Sequence, residues 1–353
     1  MIAVVLIGGM GARLRPLTCS TPKPLLPVVN RPFLEYQFEV LKAHGIHDVV
    51  LCTSYRPEAF RNALGNGRRL GLRLRYVHER EPLGTGGALK NASGFIRGTV
   101  LVLNGDILHA LDVTDFLKSH RAKRAHVTIA LTRVKDPTLY GLVETDDAGR
   151  IRKFLEKPSW EDIKTNTVNA GAYLFEPEVL DRIPEGIHHS LERSLFPHLL
   201  QSQSRLYGYM TGGYWIDIGS MEKYLQVHAD ILRDVAPFSN HAHRRKKIGT
   251  ARGVRLGKEM TVDTSSGRVV LGEKSALGDY VRLAGPVCIG PRCAIGKGAS
   301  LENCVVLKGT RVGEGASLKG CVVGPRCLIG ANASLSSKTV LGAGSRIEAF
   351  STL

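Results

Sequence analysis

The stretch LIGGMGARLRPLT, residues 6–18, sets the fold of the first part of this chain. It continues the apolar run of residues 2–7 and places three glycines within four positions, followed by two arginines. Glycine adopts turns that other residues resist, and its bare amides can approach an anion closely. Residues 2–7 are therefore predicted to form a strand that ends in an anion-binding turn.

Two familiar phosphate-binding turns do not match this stretch. The Walker A loop is excluded because no Gly-Lys-Ser/Thr sequence follows. The glycine spacing differs from that of the dinucleotide fingerprint, and the second predicted strand ends near Thr53 without a carboxylate for a ribose. Arg13, Arg15 and Lys23 instead follow the glycines, in a segment stiffened by four prolines. Fixed cations beside exposed amides suit a triphosphate.

Outward from this loop, short apolar runs alternate with helical patterns as far as about residue 236. This alternation is typical of an α/β domain with a largely parallel sheet. The predicted elements are strands at 2–7, 48–53 and 100–103, a helix that starts at 30–32 and ends at Gly45, and a hairpin of 142–145 with 151–155.

Beyond Pro237 the pattern changes to a repeat with a period of about six residues. Neither a helix nor an ordinary strand has this period, whereas the hexapeptide repeats of a parallel β-helix do. Residues 237–262 are glycine-rich and basic, and are predicted to be a linker or an irregular first coil. The predicted domains are therefore 1–236, 237–262 and 263–353. The recurring apolar residues are Leu271, Leu277, Leu283, Ile289, Ile295, Leu301, Leu307, Val312, Leu318, Val323, Ile329, Leu335, Leu341 and Ile347.

Composition narrows the class of protein. The formal net charge is +16, but the charges are scattered and aromatic residues make up only 6% of the chain, which argues against nucleic-acid binding. Seven cysteines form an odd set without a C-x-x-C pair, so reduced thiols are predicted rather than disulfides or a zinc site. No apolar run reaches the roughly 18 residues of a membrane span, and residues 2–7 lack the features of a signal peptide. A cytoplasmic protein without a membrane partner is expected.

Several short motifs, taken in order, carry a family resemblance. The chain resembles the sugar-1-phosphate nucleotidylyltransferases with a C-terminal left-handed β-helix, and most of all the mannose-1-phosphate guanylyltransferases. The resemblance covers essentially the whole chain and implies a Rossmann-like mixed α/β sheet followed by a left-handed parallel β-helix. It departs from the family at Ala12, where threonine is usual. The motifs are GGMGARLRPLT with PKPLLPV, PLGTGGAL (82–89), LNGD (103–106), YGLV (140–143), FLEKP (154–158), NAGAYLFEPEVL (169–180) and GYWIDIG (213–219).

The resemblance implies a reaction. A sugar 1-phosphate displaces pyrophosphate from a nucleoside triphosphate, with GTP and mannose 1-phosphate as the first choice. A glucose-1-phosphate uridylyl- or thymidylyltransferase is the alternative within the class. A non-catalytic regulatory subunit that binds nucleotide sugars is the alternative from another class, but such subunits have eroded phosphate and metal motifs. An acyltransferase activity in the β-helix is not expected, because no histidine follows His243. The family also implies a homo-oligomer formed through the β-helix.

The resemblance also assigns residues to the site. Asp106 follows a predicted strand at the sheet edge where ligands of open α/β folds bind, and with Asp217 it is expected to hold Mg²⁺. The expected catalytic residues are Arg13, Lys23, Asp106 and Asp217. The expected nucleotide-binding residues are Leu6, Gly8, Gly9, Gly11, Arg13, Lys23, Gly84 and Thr85. The expected sugar-phosphate-binding residues are Asn104, Gly141, Glu156, Lys157 and Asn169.

Overall fold

Residues 1–238 and 248–353 are described by a computed structural model. The basic run at 244–247 and the histidines at 241 and 243, for which no metal role is expected, lie outside the described residues. The chain folds as two compact units. The first comprises Met1–Gly9 and Leu34–Trp215, and the second comprises Met10–Phe33 and Ile216–Leu353. The segment at 10–33 therefore folds with the C-terminal part of the chain.

The helices and strands up to residue 238 follow the predicted α/β alternation. The helices are α1 (Phe33–Ala43), α2 (Pro57–Leu64), α3 (Gly84–Asn91), α4 (Val113–Ala122), α5 (Phe196–Gln201) and α6 (Met221–Leu232). The strands are β1 (Ile2–Leu6), β2 (Pro27–Val28), β3 (Arg31–Pro32), β4 (Asp48–Thr53), β5 (Arg73–His78), β6 (Val100–Asn104), β7 (Ile107–His109), β8 (Val127–Arg133), β9 (Gly141–Thr145), β10 (Ile151–Glu156), β11 (Thr167–Phe175), β12 (Leu206–Met210) and β13 (Trp215–Asp217).

A nine-stranded mixed sheet forms the centre of the first unit, in the order β10-β9-β11-β6-β1-β4-β5, with β8 joined to β11 and β12. Strand β1 runs parallel to both β4 and β6, and Leu6 pairs with Cys52 on one side and Asn104 on the other. The carboxyl ends of these strands therefore share one edge of the sheet. Strand β11 runs antiparallel to β6, and β9 and β10 form the predicted hairpin.

The second unit contains a parallel β-helix with a sheet on each of three faces. The strands are β14 (Ile248–Thr250), β15 (Thr261–Asp263), β16 (Val269–Leu271), β17 (Ala276–Leu277), β18 (Arg282–Ala284), β19 (Val287–Ile289), β20 (Ala294–Ile295), β21 (Ser300–Glu302), β22 (Val305–Val306), β23 (Arg311–Val312), β24 (Ser317–Lys319), β25 (Val322–Val323), β26 (Leu328–Ile329), β27 (Ser334–Leu335), β28 (Val340–Leu341) and β29 (Arg346–Ile347). The three sheets are β14-β16-β19-β22-β25-β28, β15-β18-β21-β24-β27 and β17-β20-β23-β26-β29. Pairing begins at Ile248, inside the range predicted to be a linker or an irregular first coil.

One position of the predicted repeat is wrong. The sequence pattern placed Leu307 in the inward-facing series, but Val306 pairs with Ile289 and Val323. The short step of five residues therefore follows Leu301. Three apolar residues stand together at 305–307, so apolarity alone could not show which of them continues the series.

The glycines that follow many repeat positions have a packing role. A Cβ atom added at Gly296 would lie 2.6 Å from the backbone nitrogen of Glu314 on the next coil. Stacked coils approach too closely at these corners for a side chain. Of the described helices, none is long and apolar enough to cross a membrane.

Candidate active site

Residues 10–33, referred to here as the signature segment, lie in the second unit and begin with a turn that is shaped by Gly11. We call this the signature turn. Its backbone is left-handed, with φ of 63°. A Cβ atom there would lie 3.0 Å from Cβ of Lys23 and 3.1 Å from Cγ2 of Thr18. The Thr18 hydroxyl donates to the carbonyl of Gly11 at 2.9 Å. Glycine is thus required by both conformation and space, and it brings the turn against Lys23.

Lys23 and Asp217 form a buried ion pair within the second unit. Lys23 Nζ lies 3.4 Å from Asp217 Oδ1, and their side chains are 8% and 10% exposed. Burial of a charge is costly unless an opposite charge compensates it, so each group stabilises the ionised form of the other. The structure thus brings together two of the predicted site residues, which lie 194 positions apart in the chain.

Arg13 adds a second cation to this cluster. A Cβ atom at Gly219 would lie 2.7 Å from Asp217 Oδ2 and 3.0 Å from Arg13 Nη2. Both side chains therefore pass over the bare backbone of Gly219. Asp217 does not cap the helix that follows, because Ser220 does so by accepting from the amide of Lys223. We refer to Arg13, Lys23 and Asp217 as the charged cluster.

Helix α6 holds the end of the signature segment. The hydroxyl of Tyr224 donates to the carbonyl of Pro27 at 2.5 Å. The amide of Val29 donates to Nδ1 of His228 at 3.3 Å. The two aromatic rings pack edge to face with centroids 4.9 Å apart. Burial lowers the pKa of His228 to about 3, so its ring stays neutral and able to accept.

The β-helix also touches the signature segment. Asn30 Nδ2 donates to the carbonyl of Ile289 at 2.9 Å. A Cβ atom at Gly342 would lie 3.1 Å from Cβ of Pro16, so the last coil packs against the turn. The sequence contained no sign of either contact, because both join positions far apart in the chain.

In the first unit, the predicted residues at the ends of β1 and β6 lie at one sheet edge. The Ser54 hydroxyl donates to the carbonyl of Gly8 at 2.7 Å. The amide of Gly105 donates to the carbonyl of Leu6 at 2.9 Å. Gln37 Nε2 donates to the carbonyl of Asn104 at 2.8 Å, which orders the turn that presents the half-buried Asp106. Gly9 is exposed just beyond this edge.

The two predicted asparagines differ in their bonding. The buried Oδ1 of Asn104 has no hydrogen-bond partner among the described residues. Asn169 is 9% exposed, and both ends of its amide are used. Its Nδ2 donates to the Tyr173 hydroxyl at 2.9 Å, and its Oδ1 accepts from the amide of Gly171 at 2.9 Å. Asn104 thus keeps one unused acceptor atom, whereas Asn169 orders the bend in β11.

Gly141 makes room for Glu156. A Cβ atom at Gly141 would lie 2.7 Å from Cζ of Phe154 and 3.1 Å from Glu156 Oε2. Burial, and then the negative charge of Glu192, raise the pKa of Glu156 above its usual value, while Lys157 opposes the shift. Lys157 itself is exposed.

Glu192 is a residue of this region that sequence reasoning missed. Its Oε2 accepts from the hydroxyls of Thr85 at 2.7 Å and Ser190 at 2.8 Å. Thr85 also accepts from the amide of Leu191 at 2.9 Å. The stretch HSLERSLF around Glu192 matched no motif, so no signal in the sequence pointed to this carboxylate.

The second glycine turn is tightly packed by its own unit. Gly84 has a φ of 72°, and a Cβ atom there would lie 2.7 Å from the carbonyl oxygen of His189. The amides of Gly86 and Gly87 donate to that same oxygen at 2.8 and 3.1 Å. The bare backbone at Gly84 therefore serves internal packing, and the Thr85 hydroxyl is already engaged.

The donors suit a hard divalent cation. Asp106 and Asp217 both offer carboxylate oxygens, which Mg²⁺ and similar ions prefer. In the described part of the chain, no group of three or more histidine, cysteine, aspartate or glutamate side chains could hold a metal by itself. An ion at either aspartate would therefore need further ligands, as expected for a cation that also binds phosphate oxygens.

A mixed α/β sheet with a glycine turn after its first strand, and two cations gathered around a buried aspartate, define a protein that handles phosphate esters. The chain belongs to the nucleotidyl transferase family, whose model matches residues 2–234. A second model, described as the GMPPB C-terminal domain, matches residues 265–352. The resemblance read from the motifs is thereby confirmed, as is the assignment as an enzyme. Members of this family generally use a divalent metal ion.

Individual relatives are also sugar-1-phosphate nucleotidylyltransferases. The mannose-1-phosphate guanylyltransferase of Mycobacterium tuberculosis is 41% identical over 312 residues, which cover 88% of this chain and 80% of the relative. The UTP–glucose-1-phosphate uridylyltransferase of Synechocystis is 33% identical over 327 residues, which cover 89% of this chain and 84% of the relative. The crystal structure of HddC from Yersinia pseudotuberculosis complexed with GMP-PN has a TM-score of 0.57 and 28% identity, and covers 64% of this chain and 97% of that chain.

Proposed function

We propose that this protein is a mannose-1-phosphate guanylyltransferase, which condenses GTP with mannose 1-phosphate to give GDP-mannose and pyrophosphate. The observation that carries the proposal is the charged cluster of Arg13, Lys23 and Asp217, found in a chain 41% identical to a mycobacterial protein of that name. A purely regulatory relative would not need to keep two cations and a carboxylate together in a protected setting.

The reaction requires little covalent chemistry from the protein. An oxygen of the sugar phosphate forms a bond to the α-phosphorus of GTP, and the bond from that phosphorus to the bridging oxygen breaks as pyrophosphate leaves. The attacking oxygen is already anionic, so no strong base is needed. The protein has to align two polyanions and offset their charge.

The charged cluster supports this role. We assign Arg13 and Lys23 to the triphosphate and the leaving pyrophosphate. Lys23 cannot swing freely, because it is buried and paired with Asp217. A cation held in this way costs no reorganisation when charge develops on the phosphates. Gly8, Gly9 and Gly11, with Leu6, would present backbone groups to the nucleotide, and Gly84 and Thr85 would support the base.

The sugar phosphate is assigned to residues of the first unit. Asn104 offers an unpaired amide oxygen that can accept from a sugar hydroxyl. Glu156 would accept from hydroxyls in the space that Gly141 leaves. The exposed Lys157 would meet the phosphate, and Asn169 would keep β11 in shape. We add Glu192 to this set because its negative charge raises the pKa of Glu156.

Mg²⁺ is the metal we propose, with Asp106 and Asp217 as its protein ligands. When bound, the ion would neutralise charge on the α-phosphate. Arg13 and Lys23 would position the phosphates through hydrogen bonds and ion pairs. The protein is also proposed to be a cytoplasmic homo-oligomer that associates through the β-helix, which light scattering of the purified protein can test.

A uridylyltransferase acting on glucose 1-phosphate is the second candidate, because the Synechocystis relative with that type of name is 33% identical over 89% of this chain. The test is a matrix of five nucleoside triphosphates against several sugar 1-phosphates, with pyrophosphate release as the readout. The highest kcat/KM is expected for GTP with mannose 1-phosphate. A maximum for UTP or dTTP with glucose 1-phosphate would replace the first candidate by the second, and no release with any pair would favour a binding subunit.

A further inference from the structure

A cavity of about 490 Å³ opens in the first unit, away from the site residues. Ile2, Asp48 and Thr99 line it, and they lie at the amino ends of β1, β4 and β6. Gly8 and Asp106 follow the carboxyl ends of β1 and β6, so the cavity lies at the opposite edge of the sheet. Its volume is within the range of small-molecule sites.

Three arginines give the cavity its charge. Arg75, Arg97 and Arg121 all line it, and none of them forms a salt bridge within the described parts of the chain. Arg97 Nη1 donates to the carbonyl of Ile96 at 3.2 Å, which leaves its other guanidinium donors for a ligand. The carboxylate of Asp48 also lines it, but Arg73 Nε already donates to that group at 2.7 Å. Hydrogen bonding from Arg73 lowers the pKa of Asp48. The cavity therefore carries an excess of positive charge at neutral pH.

The groups around the arginines are ordered. The guanidinium of Arg75 lies 5.6 Å from the ring centroid of Phe95, which is 40% exposed. The Thr99 hydroxyl points inward and donates to Glu176 at 2.7 Å, and Glu176 also contacts His120 Nε2 at 2.9 Å. Thr99 is thus tied to the interior through Glu176, a carboxylate that does not line the cavity.

We propose that this cavity is a binding site for a phosphate-bearing small molecule, separate from the site of the reaction. Guanidinium groups match phosphate oxygens in geometry and charge, and three arginines line this one concave space. An exposed aromatic ring beside them offers a surface to the rest of such a molecule. The shared chemistry is the phosphate group, which a nucleotide or a sugar phosphate could supply.

The test uses two glycines of the segment that connects α3 to β6. A Cβ atom at Gly98, which lines the cavity, or at Gly94, which does not, would meet no atom within 4 Å. Gly98→Glu therefore adds a carboxylate at the lining of the cavity from a position with room for its Cβ atom, and Gly94→Glu adds the same charge nearby. Binding of AMP and of glucose 6-phosphate to the full-length protein and to both variants is measured by calorimetry at millimolar ligand and low salt.

At least one probe is expected to bind the unmodified protein, and which one binds identifies the source of the phosphate. Gly98→Glu should weaken that binding on the order of tenfold, the equivalent of one charged contact. Gly94→Glu should leave it within about twofold. Failure of both probes to bind the unmodified protein, or an equal loss in both variants, would overturn the proposal. Turnover of Gly98→Glu without added probe should match that of the unmodified protein. The binding measurement itself does not depend on which reaction the protein catalyses.

Discussion

Asp217 is the residue whose surroundings define its role most sharply. One carboxylate oxygen lies 3.4 Å from Lys23 Nζ, and the other faces the space over Gly219 that Arg13 borders. Neighbouring cations favour the charged form of a carboxylate, which is the form that binds a metal ion. Its position at the end of a short strand is fixed by buried neighbours on both sides, Ile216 and Ile218.

Asp217→Asn is expected to lower turnover on the order of a hundredfold, by analogy with the loss of one group that stabilises transition-state charge. The amide keeps the shape of the side chain but not its charge. Pyrophosphate release under saturating substrates is the measurement. Glu222→Gln, which removes an exposed carboxylate from the next helix, should leave turnover unchanged. Near-normal rates in purified Asp217→Asn would remove this residue from the proposed metal site.

Gly219→Ala tests the packing of the charged cluster. The added methyl group would lie 2.7 Å from Asp217 Oδ2 and 3.0 Å from Arg13 Nη2, so one side chain has to move. We expect KM for the triphosphate to rise about tenfold, with a smaller change in thermal stability. Gly212→Ala is the matched control, because a Cβ atom there meets nothing within 4 Å. Equal kinetics in the two variants would contradict the arrangement.

Sequence reasoning identified the residues of the charged cluster because each stands in a motif with turn residues around it. It could not find Glu192, whose role depends on contacts with Thr85 and Ser190 rather than on a local pattern. It also could not show that the Thr85 hydroxyl is used inside the protein. Such bonds join distant parts of the chain, and no local spacing encodes them.

At the level of secondary-structure elements, helix α6 and the β-helix hold one turn of the signature segment. Strands β2 and β3 pair at Val28 and Arg31, and Val29 and Asn30 between them both have positive φ. Helix α6 contacts this turn at Pro27 and Val29, and β19 contacts it at Asn30. The turn is therefore held from two elements at once.

Asn30→Gly isolates the second of these contacts. Glycine accepts the positive φ of 64° at this position, so only the side-chain bond to the Ile289 carbonyl is lost. We expect KM for the triphosphate to rise by about threefold to tenfold, with kcat changed much less, because one hydrogen bond is lost. Steady-state kinetics with varied triphosphate provide the measurement. A lowered kcat with unchanged KM would show that the contact does not position the loop.

Element boundaries were predicted well where apolar runs were short and bounded, as at β4 and in the hairpin of β9 and β10. The repeat was predicted by its period, but its short step was misplaced at Leu307 because the neighbouring valines are equally apolar. Strand pairing with the coils on either side determines which side chain points into the β-helix, as when Val306 pairs with Ile289 and Val323. A pattern along one coil does not contain that information.

At the scale of the whole molecule, two buried neutral histidines make stability sensitive to acid. Burial lowers the pKa of His109 in the first unit to about 4 and that of His228 in the second unit to about 3. In the unfolded chain both titrate near 6.5. Protons therefore bind the unfolded state first as the pH falls below 6.5, and stability is progressively lost until the folded-state values are reached.

His228→Gln is expected to flatten this dependence. At pH 5.5 the histidine lowers the free energy of unfolding by about 1 kcal/mol relative to neutral pH, and the glutamine variant would not show this decrease. Denaturant unfolding at several pH values between 7 and 5 measures the difference in slope. His198→Gln, at an exposed position, should retain the slope of the unmodified protein. An unchanged slope in His228→Gln would mean that this ring is not neutral when buried.

The division of the chain as a whole was only partly accessible from sequence. The change from α/β alternation to hexapeptide period was visible, and the family models match 2–234 and 265–352. The boundaries at 236 and 262 remain predictions. The assignment of Met10–Phe33 to the same unit as the β-helix could not be foreseen, because it rests on contacts such as that of Asn30 with Ile289.

The packing of Pro16 against Gly342 has a consequence for biosynthesis. A ribosome adds Pro16 to the growing chain long before Gly342, and nascent domains generally fold from the amino end onward. The signature segment can contact α6 and β19 once they are made, but Pro16 gains Gly342 as a neighbour only after the intervening coils have been added. Chains that stall within the repeats before Gly342 is added would therefore carry a signature segment that lacks this contact at Pro16.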